Sequence, residues 1–114
     1  MESKRKAFCN HIGDGINLIF PNGNTISTIW HSGAYCENRN FKTPYNTVTE
    51  NGSNTCEVLI ETTNDKLYKR IFQTLDTDID NGVIGWLTID KWLWIVNCLA
   101  ENKYIMPSFK AIRA

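Results

Sequence analysis

The chain has no surplus of charge: 12 Lys and Arg stand against 12 Asp and Glu in 114 residues. A protein that grips nucleic acid through phosphate needs a basic excess, and a mimic of DNA needs an acidic one, so neither class is favoured. Apolar runs of about 20 residues, the length a membrane span requires, are missing. The opening MESKRKAF has a basic cluster but no apolar stretch behind it, which argues against a secretion signal and predicts a frayed, solvated end over residues 1–8. The cysteines Cys9, Cys36, Cys56 and Cys98 lie far apart, without a C-x-x-C pair or a histidine at zinc spacing. Free thiols and a cytoplasmic protein follow from that distribution.

Catalytic motifs are equally scarce. There is no phosphate-binding Walker loop, no G-x-G-x-x-G and no H-E-x-x-H. Of the two histidines, His31 stands five positions before Cys36, a conceivable thiol–imidazole pair, but nothing supplies the third, orienting group. The stretch DTDIDNG, residues 76–82, places Asp76, Asp78 and Asp80 as a calcium loop would. Asn81 then occupies the glycine position and Leu87 the bidentate glutamate position, so a solvated turn is the better reading. The expectation is a protein that is not an enzyme and uses no cofactor or metal.

What is present is a set of short periodic segments, enough for one domain over residues 1–114. INLIF (16–20) and TISTIW (25–30) are rich in β-branched and aromatic residues, and the P-N-G-N between them is a hairpin signal. Ile16, Leu18 and Phe20 share one face, as do Ile26, Thr28 and Trp30 on the next strand. TCEVLIE (55–61) alternates, with Cys56, Val58 and Ile60 together. Leu67, Tyr68, Ile71, Phe72 and Leu75 fall at helical spacing behind Thr63 or Asn64 as N-cap. VIGWL (83–87) reads as a strand, followed by a helix capped by Thr88 with a core stripe of Ile89, Trp92, Leu93, Val96, Leu99 and Ala100. The predicted fold is α+β: a small, mainly antiparallel sheet with two helices packed on one face, and a tail over residues 103–114.

Two features exceed what the fold needs. Residues 31–54 form a long loop without apolar period, its later half TPYNTVTENGSN holding either turns or a short strand near Thr47–Thr49. Its first half gathers His31, Tyr35, Asn38, Arg39, Asn40, Phe41 and Lys42, which suit a planar base with phosphate, because rings and guanidinium stack on bases and arginine forks onto phosphate. A solvated loop with its rings tucked onto the sheet has the same composition. The second feature is tryptophan. Trp94 lies about 200° around the helix from Trp92, alongside Cys98 and Glu101. Trp94 and Cys98 therefore either pack under the loop, or lie on a helix covered on both sides, or form an interface in a homo-oligomer.

The segments PNGNTIS, AYCEN, CEVLI and GWLTIDKWLWIVNCL together resemble small phage-encoded counter-defence proteins, and among them the Thoeris anti-defence nucleotide sponges. The resemblance covers residues 15–41 and 54–100. It implies sequestration of a nucleotide-derived signalling molecule, a cyclic ADP-ribose isomer or cyclic oligonucleotide, by an oligomer in the host cytoplasm. It points to Trp86, Asn97 and Arg113 as pocket residue types, beside Tyr35, Asn38 and Arg39 from the loop. The alternative is a phage inhibitor that blocks a bacterial defence protein by direct contact, as anti-CRISPR proteins do. Binding to DNA or to a membrane is not expected.

Overall fold

The computed structural model describes residues 8–10, 13–40, 52–79 and 81–109. Five strands, β1 (Phe8–Asn10), β2 (Gly15–Ile19), β3 (Thr25–Ile29), β4 (Cys56–Glu61) and β5 (Val83–Leu87), lie side by side in chain order, and every neighbouring pair is antiparallel. The helices are α1 (Asp65–Thr74), between β4 and β5, and α2 (Ile89–Glu101), directly after β5. The expected α+β architecture is what forms. Strand β1 falls partly on the residues that the sequence assigns to a frayed end: Phe8, Cys9 and Asn10 pair with Leu18, Asn17 and Ile16.

Alternation along the strands decides which face is buried. Leu18, Ile26 and Ile60 form one row of Cα partners, and Ile16, Thr28, Val58 and Ile84 the next. Helix α1 lays Leu67, Ile71, Phe72 and Leu75 on this face, and α2 adds Trp94, Ile95, Cys98 and Leu99, so one continuous cluster forms. Each large side chain taken out of water here contributes about 1.5–3 kcal/mol. Asn64 is the N-cap of α1, its side chain accepting from the Leu67 N–H at 3.1 Å. Thr88 stands at the N-cap position of α2 but makes no capping bond; its hydroxyl donates to the Asp90 carboxylate instead.

The turn between β2 and β3 does more than reverse the chain. Gly23, at φ 93°, donates to the Phe20 carbonyl and closes a tight turn. Asn22 and Asn24 then aim their amides at the end of α2: both donate to the Leu99 carbonyl at 2.9 Å, and Asn22 also reaches the Ala100 carbonyl at 3.0 Å. The last carbonyls of a helix have no partner within it, so these side chains satisfy groups that would otherwise face an apolar layer. Asn102 ends the helix in the left-handed conformation, its backbone N–H returning to the Cys98 carbonyl. The Asn102 side-chain oxygen accepts from both Asn24 and Asn64, which ties hairpin, α1 and α2 at one point.

Helix α2 is turned relative to its expected orientation. Ile89 and Leu93 are 72% and 51% exposed, Ala100 is exposed, and Trp92 and Val96 are half-buried; only Leu99 of the expected stripe is fully buried. Trp94 and Cys98 are 6% and 0% exposed within the single chain, so they are core residues and not an outward interface. Residues 104–109 cover that side of the helix. They fold back so that Tyr104 and Phe109 meet the Trp94 ring edge-on at 6.1 and 5.5 Å, and the Ile105 carbonyl accepts the Trp94 indole N–H at 2.7 Å. The first half of the expected tail is thus packed structure. Among the described residues no helix is long and apolar enough to cross a membrane.

Truncating Trp94 removes a buried ring and its hydrogen bond together. Trp94→Ala should lower unfolding free energy by about 3–5 kcal/mol, the usual cost of large-to-small change in a core, read as a shifted urea midpoint. A loss below about 1 kcal/mol, the scale of surface change, would return Trp94 to the outside of the molecule.

Candidate functional site: an aromatic and cationic platform

The face of the sheet away from the helices carries Ser27, Leu59 and Val83 in one row, with Glu57 further along β4. Onto its β4–β5 end folds the segment 31–40. Burial alternates along it: Ala34, Cys36 and Asn38 point inward, while Tyr35, Glu37 and Arg39 point out. His31 and Ser32 are also buried, so the segment carries a polar interior of its own. Asn38, 1% exposed, spends its amide on the Trp30 carbonyl at 2.6 Å and the Gly52 carbonyl at 3.0 Å. Two backbone stretches are held by that one side chain. Asn38 is therefore a structural group here, not one presented to a ligand.

Tyr35 is pinned on three sides. Its backbone N–H donates to the Glu57 carboxylate at 2.9 Å, and its carbonyl accepts from the Trp86 N–H at 2.8 Å. Beneath it lies Gly85, so close that a Cβ there would stand 2.5 Å from the Tyr35 Cβ. Register explains the fit. Cys56 pairs with Leu87 and Val58 with Ile84, so Gly85 and Trp86 together oppose Glu57, a β-bulge in β5. The bulge frees the Trp86 N–H from the ladder and puts Trp86 at φ 56°, a conformation that costs a non-glycine residue about 1–2 kcal/mol.

Three expected site residues converge. The Arg39 guanidinium lies over the Tyr35 ring at 4.2 Å and gives one N–H to the Gly33 carbonyl at 3.0 Å. Gly33 in turn donates to the Arg39 carbonyl. Trp86 joins them through its backbone bond to Tyr35, and its side chain is 55% exposed against 46% for Tyr35. The other expected residues are not brought here by any such contact: Asn38 is buried, and Asn97 is exposed on α2. Arg113, Phe41, Lys42 and the possible strand at Thr47–Thr49 lie outside the described residues.

The imagined thiol–imidazole pair has another geometry. The Cys36 thiol points to the His31 backbone carbonyl at 3.8 Å, and the His31 ring engages the Ser32 carbonyl at 2.7 Å. Burial pushes the Cys36 thiol up from its ordinary range, and burial raises Cys56 to about 12. Neither is a thiolate near neutral pH, so neither is an activated nucleophile. Comparisons with protein-family models, curated proteins and solved structures find nothing that matches this chain.

Gly85 and Trp86 invert the usual expectation for glycine and tryptophan. Gly85→Ala should cost about 1–3 kcal/mol by overpacking against Tyr35, with faster exchange of the Trp86 amide. Trp86→Gly should leave stability within about 1 kcal/mol of the parent or raise it, since relief of the left-handed backbone offsets loss of an exposed ring. Thermal melts and amide exchange of the two variants check both. Equal destabilisation would remove the bulge account.

Proposed function

We propose that this chain acts by binding and not by catalysis, with Tyr35, Arg39 and Trp86 as its recognition surface and a nucleotide-derived signal as its ligand. What supports the reading is one observation. Tyr35 and Trp86, two exposed aromatic residues from segments far apart in sequence, are joined by a backbone hydrogen bond, and the Arg39 guanidinium lies over the Tyr35 ring. Rings of this kind stack on any base face, worth about 1–3 kcal/mol per base. A guanidinium held over Tyr35 keeps N–H groups for phosphate, and its position is preorganised before a ligand arrives.

Direct contact with a protein, such as a bacterial defence protein, is the second reading, and the same patch supports it. Trp, Tyr and Arg are the residues that dominate interface hot spots, and Leu59, 39% exposed, shares the open sheet face. Self-association, expected from the sequence at Trp94 and Cys98, moves under this proposal to the outward side of α2. Ile89, Leu93, Val96 and Ala100 recur there at helical spacing and stay exposed or half-buried, an apolar stripe of the sort a second copy would cover.

Calorimetric titration with cyclic ADP-ribose isomers and cyclic oligonucleotides tests the ligand. Arg39→Ala should weaken binding at least tenfold, from a loss of about 2–5 kcal/mol for an unpaired phosphate charge. Folding should change by only about 1 kcal/mol, for one cation–π contact and one hydrogen bond. A parent that binds none of these ligands sinks the nucleotide reading and leaves the protein-contact one.

Leu93→Lys tests the α2 stripe by native mass spectrometry. The expected result is a folded species of lower mass than the parent; an unchanged oligomer, or a parent that is already monomeric, removes the stripe as an interface.

A further inference from the structure

On the helix side of the sheet, behind the platform, the strand ends and the start of α2 enclose an open cavity of about 260 Å³. Ile16, Trp30, Leu87 and Trp92 form much of its wall. Cys56 also lines it, while its neighbour Glu57 holds Tyr35 on the other face, so adjacent residues of β4 serve the two places. Ile16, Trp30 and Cys56 sit where alternation would bury them, yet each is only half-buried. The cavity is the reason. Trp92 is locked in place, its indole N–H donating to the Thr28 hydroxyl at 2.8 Å.

We infer that this cavity is a binding site for an uncharged, planar two-ring compound of about the size of indole. Size sets the upper bound. An apolar cavity of about 150 Å³ takes a single benzene ring, and pockets for drug-sized ligands begin near about 300 Å³. The 260 Å³ here falls between them. Chemistry sets the class. Two indole rings and aliphatic side chains offer flat apolar contact, and the Thr28 hydroxyl, which accepts from Trp92, adds one polar group. No Lys, Arg, Asp or Glu lines the cavity among the described residues. A charged ligand would lose its water without gaining a partner, which disfavours phosphates and carboxylates. The cavity thus differs in kind from the platform, where a guanidinium is on display.

Indole titrated into the full chain, followed by the side-chain N–H signals of the four tryptophans, tests the inference. Saturable shifts at Trp30 and Trp92 are expected, with a dissociation constant on the order of 1 mM for so small a ligand. The carboxylate indole-3-acetate should bind at least tenfold more weakly. Ile16→Phe, which fills part of the space, should abolish the shifts while the backbone spectrum stays dispersed. Should that variant fail to fold, the parent decides alone. Shifts confined to Trp86, no saturation, or equal affinity for indole and its acetate would each overturn the site, as would undiminished binding to folded Ile16→Phe.

Discussion

The end of α2 is where this fold is tied. Four asparagines meet there: two from the β2–β3 turn, one from the cap of α1 and one that ends α2 itself. A helix finishing against an apolar layer leaves carbonyls that must be satisfied, and each unsatisfied one costs about 1–3 kcal/mol. Asn24, 3% exposed, meets that need from inside the protein. Because a helix is rigid, fixing its end and its core side sets its rotation. That places Trp94 inward and Ile89 and Leu93 outward. The tail can then close over Trp94, and the apolar stripe on the other side stays uncovered.

That dependence explains what the sequence shows and what it hides. Strands β2 to β5 and both helices are legible as elements, because alternation and helical spacing are local signals, and in α1 the apolar positions agree with the buried face. The PNGN turn is legible as a turn, but its two asparagines look like ordinary turn residues; their bonds to Leu99 span more than 70 positions. The rotation of α2 is not legible for a different reason. Ile, Trp, Leu, Val, Cys and Ala occur all around it, so more than one face fits the spacing of a core. Tertiary contacts choose between them. β1 escapes notice because three residues carry too little pattern to count.

The loop was legible by composition and opaque in structure. Tyr35 and Arg39 belong together as stacking and charged groups, and the structure does bring them together. Asn38 has the same chemical type as a ligand donor, and only its burial reveals that it braces two carbonyls. The inward–outward alternation from Ala34 to Arg39 is visible in hindsight, but with Ala, Cys and Asn as the inward set it does not read as a strand. Polar interiors of this kind depend on complete satisfaction of their hydrogen bonds, a property of assembled geometry and not of residue type.

The placement of glycine in β5 sets two local constraints against each other. This bulge has one residue at positive φ, a conformation glycine adopts without penalty. The pair Gly85–Trp86 has its glycine one position early for that purpose. Gly85 is instead consumed by the close approach of Tyr35, and the left-handed backbone falls on tryptophan. Both constraints would be met at lower energy by glycine at 85 and 86 together. Trp86 is 55% exposed, so the covered part of its side chain offsets some of that strain. Strain of this kind, about 1–3 kcal/mol, persists only where the surrounding structure over-determines it. Here the Trp86 N–H bond to the Tyr35 carbonyl, and the pairing of Leu87 with Cys56 and of Ile84 with Val58 on either side of the bulge, do so.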